Sequence, residues 1–476
     1  MFHSLLFVTF AAETQYLPIL TTSNNTQKFN QLRFRFPFLI YQSYTILHEK
    51  EQIRIKYLFN LSDTHIFQPE ISIPSRVFFD MKKLSKDDIE LFVFHIGMVE
   101  LISYWKCACP KTVIINPFHL TDNQINWWKK LYFNGLGEFF YLNNIETNLD
   151  DFMQLKSDSD QIPVSSGVPL SDLILVPIGG GKDSIVSLEL LKSNKLPIIP
   201  FIVNPREATT KTAQMAGFSF NDCMIIHRTI DPLLLKLNSE GFLNGHTPFS
   251  SLLAFLAAFS AVLCGAKYIA LSNESSANEA TVANTNINHQ YSKSFEFESD
   301  FRNYSKEYLH PYLNYFSLLR PLNELQIGKL FSHNHQYFST FRSCNVGSKT
   351  DSWCCNCPKC LFTFLMLSPF QPMKSLDEIF GIHIPDIESL KPILNELRGL
   401  SETKPFECVG TVQEVEVAIQ SLLVKNPSIQ HSALFSHIVV DQSVAIEINM
   451  LLQSFDHQHF LLPEFEEIIK TAIHAE

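Results

Sequence analysis

The sequence contains no uncharged apolar run that approaches the ~20 residues of a membrane-spanning helix, although 46% of its residues are hydrophobic. The opening apolar run, residues 5–12, has no Lys or Arg before it. A cleaved signal peptide is therefore not expected, and the run is predicted to be the first strand. These absences predict a cytoplasmic protein without a membrane partner.

An excess of positive charge is also missing. The chain has 37 Lys and Arg against 48 Asp and Glu, which gives a net charge of −11. Such a balance argues against a broad surface for nucleic acid or for an anionic membrane. An anionic substrate would need a local basic pocket.

What the chain does have is length and thiols. Its 476 residues are enough for roughly two or three domains with real cores. Ten cysteines occur in a large chain without an export signal. Metal-binding or catalytic thiols are therefore expected rather than disulfides.

Residues 1–155 are predicted to form an N-terminal α+β domain. Residues 41–47 and 53–61 alternate in polarity as a β-hairpin does, and residues 67–73 are predicted to be a further strand. Ser85 and Thr121 are predicted to cap helices. Cys107 and Cys109 are too close together for a usual zinc knuckle, so they are predicted to be buried thiols.

The predicted domains after this one are an α/β nucleotide-binding domain, residues 165–370, and a helical region, residues 371–476. A segment rich in Ser, Asp and Pro, residues 155–172, is the predicted linker. Strands and helices then alternate, which favours a parallel, doubly wound sheet. Its predicted elements are strands 173–178, 197–203, 224–227 and 268–272, and a helix at 248–264.

The stretch LILVPIGGGKDSIVSLELL, residues 173–191, predicts a phosphate-binding turn. Gly179, Gly180 and Gly181 follow the buried strand and permit positive φ and close backbone approach. The helix that opens at Asp183 and Ser184 adds free N–H groups and the positive end of its dipole, and Lys182 adds charge. The spacing is neither G-x-x-x-x-G-K-[ST] nor G-x-G-x-x-G. A tight strand–helix turn without a ligand is the alternative.

Polar residues lie where the predicted parallel strands end. Ligands bind such sheets at the carboxyl ends of the strands. The linear order therefore predicts that these residues lie near the glycine turn: Arg206, Arg228, Asn273 and Glu274.

The segment 273–304 is predicted to be a long polar loop, because it lacks helix or strand periodicity. Several of its side chains suit a polar, carboxylate-bearing substrate, although each alone is more often a solvated loop residue. They are Asn278, Glu279, Tyr291, Lys293, Glu296 and Arg302.

A cysteine cluster follows in the stretch FRSCNVGSKTDSWCCNCPKC. Its predicted ligands, Cys344, Cys354, Cys357 and Cys360, would hold a structural Zn2+ tetrahedrally. Cys355 could replace Cys354. The alternatives are an iron–sulfur cluster and unliganded buried thiols.

The stretch KPFECVGT, residues 404–411, interrupts the C-terminal helices. Its Cys408 could return to the active site and act as an acid or a base. A helix-capping turn is the alternative interpretation.

The loop GGGKDS resembles the S-G-G-x-D-S loop of PP-loop ATP pyrophosphatases, with Gly179 where that family usually has serine. The cysteine spacing is similar to a zinc cluster in enzymes that make 7-cyano-7-deazaguanine. Together with SNESSANE, HQYSKSFEFE and KPFECVGT, these motifs resemble the ATP-dependent UDP-N-acetylmuramoyl-L-alanyl-L-glutamate epimerases of peptidoglycan precursor synthesis. The resemblance covers most of the chain.

The resemblance implies a UDP-linked muramoyl dipeptide substrate, ATP, Mg2+ and structural zinc. ATP would be bound by Gly179–Gly181, Lys182, Asp183 and Ser184 and cut between its α and β phosphates, and AMP would join the substrate carboxylate. That transfer removes a negative charge beside the α-carbon, so a side-chain base can take the α-proton. The candidate catalytic residues are Lys182, Asp183, Glu279, Tyr291, Lys293 and Cys408.

Two other function classes remain open from the sequence. One is a PP-loop ligase or amidotransferase that passes an adenylated carboxylate to an amine. The other is a zinc-stabilised nucleotide-binding regulator without turnover. A tRNA-modifying enzyme is disfavoured because the chain lacks a basic face.

Overall fold

The computed structural model describes residues 25–74, 84–283 and 285–474. The predicted strand at residues 5–12 lies outside them. The described residues form eleven strands, β1 to β11 in chain order: Phe38–His48, Gln52–Leu61, His65–Phe67, Glu70–Pro74, Thr112–Ile115, Gln154–Ser157, Ser171–Pro177, Ile198–Val203, Met224–Thr229, Ala266–Leu271 and Asn314–Ser317.

Sixteen α-helices accompany these strands within the described residues. In chain order they are α1 to α16: Thr26–Arg35, Lys86–Trp105, Asp122–Gly135, Gly137–Leu142, Lys182–Ser193, Glu207–Met215, Pro232–Ser239, Phe249–Cys264, Phe295–Tyr308, Glu324–Ser332, Pro358–Leu367, Met373–Phe380, Lys391–Leu397, Val412–Lys425, Val444–Gln453 and Pro463–His474. None of these helices combines the length and the apolar content needed to span a bilayer.

All the strands belong to one mixed sheet. Their order is β11-β10-β7-β8-β9-β4-β2-β1-β5-β6, and β3 pairs with β2 beside this path. The strands β11, β10, β7, β8 and β9 are mutually parallel, which confirms the α/β class and the parallel sheet. The antiparallel pair β4–β9 joins this half to the N-terminal half.

The sheet carries a hydrophobic core on each face. One core contains residues of α2, α3 and α8 together with the N-terminal strands, and the other contains residues of α5, α10, α11 and α14. The ends of the predicted linker, residues 155–172, belong to β6 and β7, whereas the residues between these strands, 158–170, have no regular secondary structure, as expected of a connection rich in Ser, Asp and Pro. The proposed domain boundaries around it stay a prediction.

The N-terminal predictions are mostly confirmed. β1 and β2 form the expected antiparallel hairpin. Ser85 and Thr121 cap α2 and α3, each in a capping box with the residue three positions on. Cys107 and Cys109 are buried thiols. The strand predicted at residues 67–73 is confirmed in part: β4 covers residues 70–73, whereas Phe67 ends β3. The break falls at Pro69, whose nitrogen cannot donate to a ladder.

The prediction of a helix-free loop at residues 273–304 is wrong. After short 3-10 turns, α9 begins at Phe295, and the Ser294 side chain accepts a hydrogen bond from the Phe297 N–H at 3.2 Å. Phe297 and Phe301 of this helix are buried in the core. Phe297, Phe301 and Tyr304 recur at the i, i+4, i+7 spacing of an amphipathic helix, so the sequence does carry this helical signal and the prediction overlooked it. The helical character predicted for residues 371–476 is confirmed by α12 to α16.

Candidate active site

The glycine turn joins β7 to α5 and is held by its neighbours. Gly180 has φ +79°, and a Cβ there would lie 3.1 Å from atoms of Ala208 and Thr209, so the position requires glycine. Its carbonyl oxygen accepts a hydrogen bond from the Arg342 N–H at 2.8 Å. The Arg206 guanidinium donates to the Gly179 carbonyl at 3.1 Å, which places Arg206 at the turn as predicted. The first turn of α5 presents N–H groups at the same point, an arrangement that suits an anion.

Lys182 is buried beneath this turn and pairs with two carboxylates, those of Asp183 and Glu324. Burial opposes the lysine charge, but the two carboxylates outweigh it and raise the pKa of Lys182. Burial raises the pKa of Glu324 to about 8, whereas Lys182 keeps the pKa of Asp183 below its usual value against the effect of burial. The lysine charge is thus compensated inside the protein, and Asp183 remains a carboxylate at neutral pH.

The four predicted metal ligands come together. Sulfur–sulfur distances are 3.8 Å for Cys344–Cys357, 3.8 Å for Cys354–Cys360 and 3.5 Å for Cys357–Cys360. All four ligand atoms lie within 4.8 Å of one another, which suits one metal ion. Cys355 points elsewhere, with its thiol 3.4 Å from the Phe380 carbonyl oxygen. Cys354, not Cys355, is therefore the fourth member.

The segment that carries these cysteines also braces the glycine turn. A Cβ on Gly181 would lie 2.9 Å from the Ser343 hydroxyl, beside Cys344. The Asp351 carboxylate accepts the N–H groups of Glu207 and Ala208, at 2.7 and 3.2 Å, at the start of α6. The cysteine cluster is thus linked to the turn through its flanking residues.

Cys408 lies in the loop before α14, half-buried, with the Lys293 ammonium 3.0 Å from its sulfur. Burial alone would raise the pKa of this thiol. The positive charges of Lys293, Lys359 and His289 outweigh burial and hold the pKa of Cys408 well below its ordinary value. The neighbouring positive charges therefore favour the thiolate form of Cys408, which is the form that acts as a nucleophile or as a base.

A second group of ionisable side chains adjoins this thiolate. The His289 Nδ1 lies 2.5 Å from the Glu138 carboxylate, and the His246 Nδ1 lies 3.5 Å from the same oxygen. Burial would lower the pKa of His289, but the neighbouring Cys408 and Glu138 raise it to about 10. Burial lowers the pKa of His246 to about 3. Hence His289 is cationic at neutral pH and His246 is neutral.

Glu274 connects the glycine turn with the thiolate. It follows β10 and is 4% exposed. Burial raises the pKa of its carboxyl, which is also influenced by the charges of Lys293, Asp183, Lys182 and Cys408. The charges of the glycine turn and those around Cys408 thus act on the same buried carboxyl, which follows a strand of the parallel sheet.

Other predicted residues hold the protein together. Glu279 pairs with Lys404, which ties the loop after β10 to the Cys408 loop. Tyr291 is buried in the hydrophobic core. The Asn278 side chain accepts the Phe295 N–H at 2.7 Å, Glu296 pairs with Lys130, and Asn273 donates to the Ser317 hydroxyl at 3.1 Å.

Arg228, predicted to lie near the glycine turn, and Arg302, predicted to suit a carboxylate-bearing substrate, are both engaged in other contacts. Arg228 is committed to a buried, bidentate pair with Glu100 of α2, with N–O distances of 2.7 and 2.8 Å. Arg302 donates to the Tyr315 carbonyl, and its guanidinium lies 4.5 Å from the centre of the Phe460 ring. Arg228 at the end of β9 therefore binds α2, and Arg302 on α9 binds the backbone of β11.

Sequence reasoning missed five side chains of the site. They come from α4, the loop before α8, the loop after β10, α10 and α11: Glu138, His246, His289, Glu324 and Lys359. No spacing rule connects such distant positions. The stretch HQYSKSFEFE, which contains His289, was the one available signal.

The glycine turn lies at the start of a helix, at the carboxyl edge of the parallel strands, where α/β enzymes bind their ligands. A cysteine flanked by positive charges is a typical catalytic group of such enzymes. Family models match most of the chain: "MurL N-terminal domain" over residues 30–318 and "MurL C-terminal domain" over residues 338–450. The chain therefore belongs to the MurL family.

Three curated relatives carry the same name, UDP-N-acetyl-alpha-D-muramoyl-L-alanyl-L-glutamate epimerase. The protein from Micromonospora sp. is 36% identical over 69% of this chain and 73% of its own length. The one from Salinispora tropica is 36% identical over 67% of this chain and 70% of its own length. The one from Xanthomonas oryzae pv. oryzae is 30% identical over 79% of this chain and 84% of its own length.

Proposed function

We propose that this protein is an epimerase that inverts the terminal L-Glu of UDP-N-acetylmuramoyl-L-alanyl-L-glutamate to D-Glu in peptidoglycan precursor synthesis. The observation that carries the proposal is the family match, which includes the glycine turn, the four clustered cysteines and Cys408. The names of the three relatives supply the substrate and the reaction.

We further propose that the glycine turn is a PP-loop that holds the phosphates of ATP. The positive φ of Gly180, the free N–H groups at the start of α5 and the nearby Arg206 support this role. Asp183, kept ionised by Lys182, offers the hard oxygen ligand that Mg2+ prefers. ATP bound here would supply AMP to the substrate carboxylate and release diphosphate.

The chain's own residues would then invert the α-carbon. A carboxylate beside that carbon opposes deprotonation because a second negative charge would develop. A mixed anhydride with AMP removes this obstacle, and its hydrolysis by water after inversion would release AMP and the free carboxylate. The Cys408 thiolate is the base that the site supports best. Lys293, 3.0 Å from the sulfur, would lie on the same side of the carbon as this base, so the proton for the opposite face would come from a different group.

We propose that Cys344, Cys354, Cys357 and Cys360 hold one structural zinc ion. Four thiolates at Zn–S distances of about 2.3 Å in a tetrahedron lie about 3.8 Å apart, and the sulfur–sulfur distances of 3.5 and 3.8 Å fit that geometry. Thiolates this close leave room for a single ion rather than for an iron–sulfur cluster. Because all four ligands are protein thiolates, the ion stabilises the segment that braces the glycine turn.

The deciding experiment incubates the purified protein with ATP, Mg2+ and UDP-N-acetylmuramoyl-L-Ala-L-Glu in D2O. Chiral analysis should find D-Glu that carries deuterium at its α-carbon, with AMP and diphosphate formed in the same tube. Omission of ATP should stop both inversion and deuterium exchange. Inversion at the full rate without ATP would contradict the adenylate, and D-Glu without deuterium would contradict deprotonation.

The same assay separates the alternative functions. A ligase or amidotransferase would release diphosphate only when an amine acceptor is added, and the product would keep L-Glu. A regulator without turnover would release no diphosphate. Either result would overturn the proposed epimerisation.

A further inference from the structure

Three side chains of metal-binding types meet from distant parts of the chain: Glu138 of α4, His246 before α8 and His289 after β10. The Nδ1 atoms of both histidines face the same Glu138 carboxylate oxygen, His289 at 2.5 Å and His246 at 3.5 Å. The two rings lie side by side, with their centroids 4.5 Å apart. One ligand atom from each residue lies within 4.8 Å of the other two, so the three residues converge on one point.

The His246 ring is the part of this cluster that a simple ion pair leaves unexplained. Its side chain is only 25% exposed, yet the ring forms no hydrogen bond with any residue that the structure describes. Polar groups buried to this extent usually have a hydrogen-bond partner. Two ligands at about 2.05 Å from a metal ion in a tetrahedron lie about 3.3 Å apart. The 3.5 Å between His246 and Glu138 is close to that separation, so the ring lies where a metal ligand would lie.

The contact between His289 and Glu138 occupies the place of the ion. At 2.5 Å the nitrogen and the oxygen share a proton. A divalent ion would expel that proton to solvent and separate the two atoms by about 0.8 Å more. The His289 N–H donates to the Thr281 hydroxyl at 3.0 Å, which fixes the backbone that carries the ring. Only side chains therefore have to move when an ion enters.

The surrounding charges limit how tightly an ion is held. The Lys106 ammonium donates to the Gly245 carbonyl, next to His246, and it repels a cation. The charges of Cys408 and Glu407 act in the opposite sense. An ion held by three ligands near a lysine should exchange with solvent, unlike an ion enclosed by four thiolates. Protein purified in the presence of a chelator should thus keep only the ion of the four-cysteine cluster.

We propose that Glu138, His246 and His289 form a second metal site, which binds one divalent transition-metal ion of the Zn2+ and Co2+ class and leaves a fourth position open for an oxygen ligand. Two imidazoles and one carboxylate are a ligand set that suits these ions. The site shares no ligand with the four-cysteine cluster or with the Mg2+ proposed at Asp183. It does not depend on the proposed epimerisation.

The test measures Co2+ binding to the full chain without ATP or muramoyl substrate. Dialysis against EDTA removes exchangeable ions, and metal analysis confirms that the four-cysteine ion stays. The wild type should then take up one Co2+ per chain, with the weak visible absorbance of nitrogen and oxygen ligands and without the intense thiolate-to-cobalt band of a cysteine site. Proton NMR of this sample should show two exchangeable, strongly shifted N–H signals, one from each coordinated imidazole.

Three substitutions each remove one ligand: Glu138→Gln, His246→Asn and His289→Asn. Loss of an outer partner of a metal ligand already weakens binding by about 10- to 100-fold, so loss of a ligand should weaken Co2+ binding at least that much. Glu146→Gln and His437→Asn change exposed residues of the same types outside the cluster and should bind Co2+ as the wild type does. Thermal unfolding of each variant checks that the fold is retained. Where a variant fails to fold, the NMR signals of the wild type decide.

A wild type that takes up no ion beyond that of the four cysteines would overturn the proposal. Equal uptake by the wild type and Glu138→Gln, or fewer than two imidazole N–H signals, would also overturn it, because the ion would then lie elsewhere. Binding of Co2+ as expected in a protein that does not epimerise the substrate would reject the proposed function and leave the metal site standing.

Discussion

The Lys293 ammonium lies 3.0 Å from the Cys408 sulfur, although 115 positions separate the two residues. Contacts of the Lys404 side chain hold them together: its ammonium pairs with Glu279 and donates to the Gly410 carbonyl at 2.7 Å. The Lys404 N–H also donates to the Thr281 carbonyl at 3.0 Å. The thiolate therefore depends on docking of the C-terminal region against the loop after β10.

Cys408→Ser should reduce epimerisation by about 10²- to 10⁴-fold, the usual contribution of a general base. A serine hydroxyl is not ionised at neutral pH, so the α-proton has no acceptor. AMP formation should persist, because the glycine turn is unchanged. Chiral analysis and AMP release in the same reaction check both expectations. Cys355→Ser, which alters an interior thiol, is the control and should retain both activities; a Cys408→Ser enzyme as fast as the wild type would exclude the sulfur as the base.

Asp183→Ala and Ser184→Ala should each abolish AMP formation while the fold persists. Asp183 supplies the carboxylate proposed for Mg2+, and the Ser184 hydroxyl donates to the Gly181 carbonyl at 3.0 Å inside the turn. Diphosphate release and circular dichroism are the measurements. Lys192→Ala, at the far end of α5, should behave as the wild type. Undiminished diphosphate release in either turn variant would refute the phosphate-binding role.

Metal analysis should find one zinc ion per chain. Cys357→Ser should lose the ion and unfold at a temperature several degrees lower, because the fourth thiolate of a closed site is removed. Cys355→Ser should keep the zinc, since its thiol faces the Phe380 carbonyl. Visible absorbance of an iron–sulfur cluster, or zinc loss on mutation of Cys355 but not Cys354, would contradict the assignment.

His95 should make stability depend on pH between about 4 and 6.5. Its ring is buried between the Leu91 carbonyl, at 2.7 Å, and the Tyr304 hydroxyl, at 3.0 Å. Burial lowers the pKa of His95 to about 4, so the unfolded chain binds the proton first as pH falls from 6.5. The free energy of unfolding should decrease by about 3 kcal/mol across this window. Urea unfolding at several pH values measures it, and His95→Gln should show a shallower dependence; equal slopes would contradict it.

Local chemistry allowed much of the structure to be predicted. The glycine turn and the start of α5 follow from residues that adjoin in sequence, as do the capping boxes of Ser85 and Thr121. The alternation of strands and helices gave the parallel sheet. The spacing of Cys344, Cys354, Cys357 and Cys360 predicted that these four thiols lie together, because all four belong to one short segment of the chain.

Only the tertiary structure decided which charges face one another. Arg228 and Lys293 both looked available to a substrate, yet the first is bound to Glu100 and the second lies against Cys408. The sequence did not indicate that Glu324 and Glu138 belong to the site. A buried carboxylate can be recognised only by the group it pairs with, and for both residues that group is distant in sequence. The charge state of a thiol or an imidazole is set by desolvation and by neighbouring charges within a few ångströms. Those neighbours are brought together by packing across the whole fold, which is why the sequence determined the turn and the metal ligands but not the thiolate site.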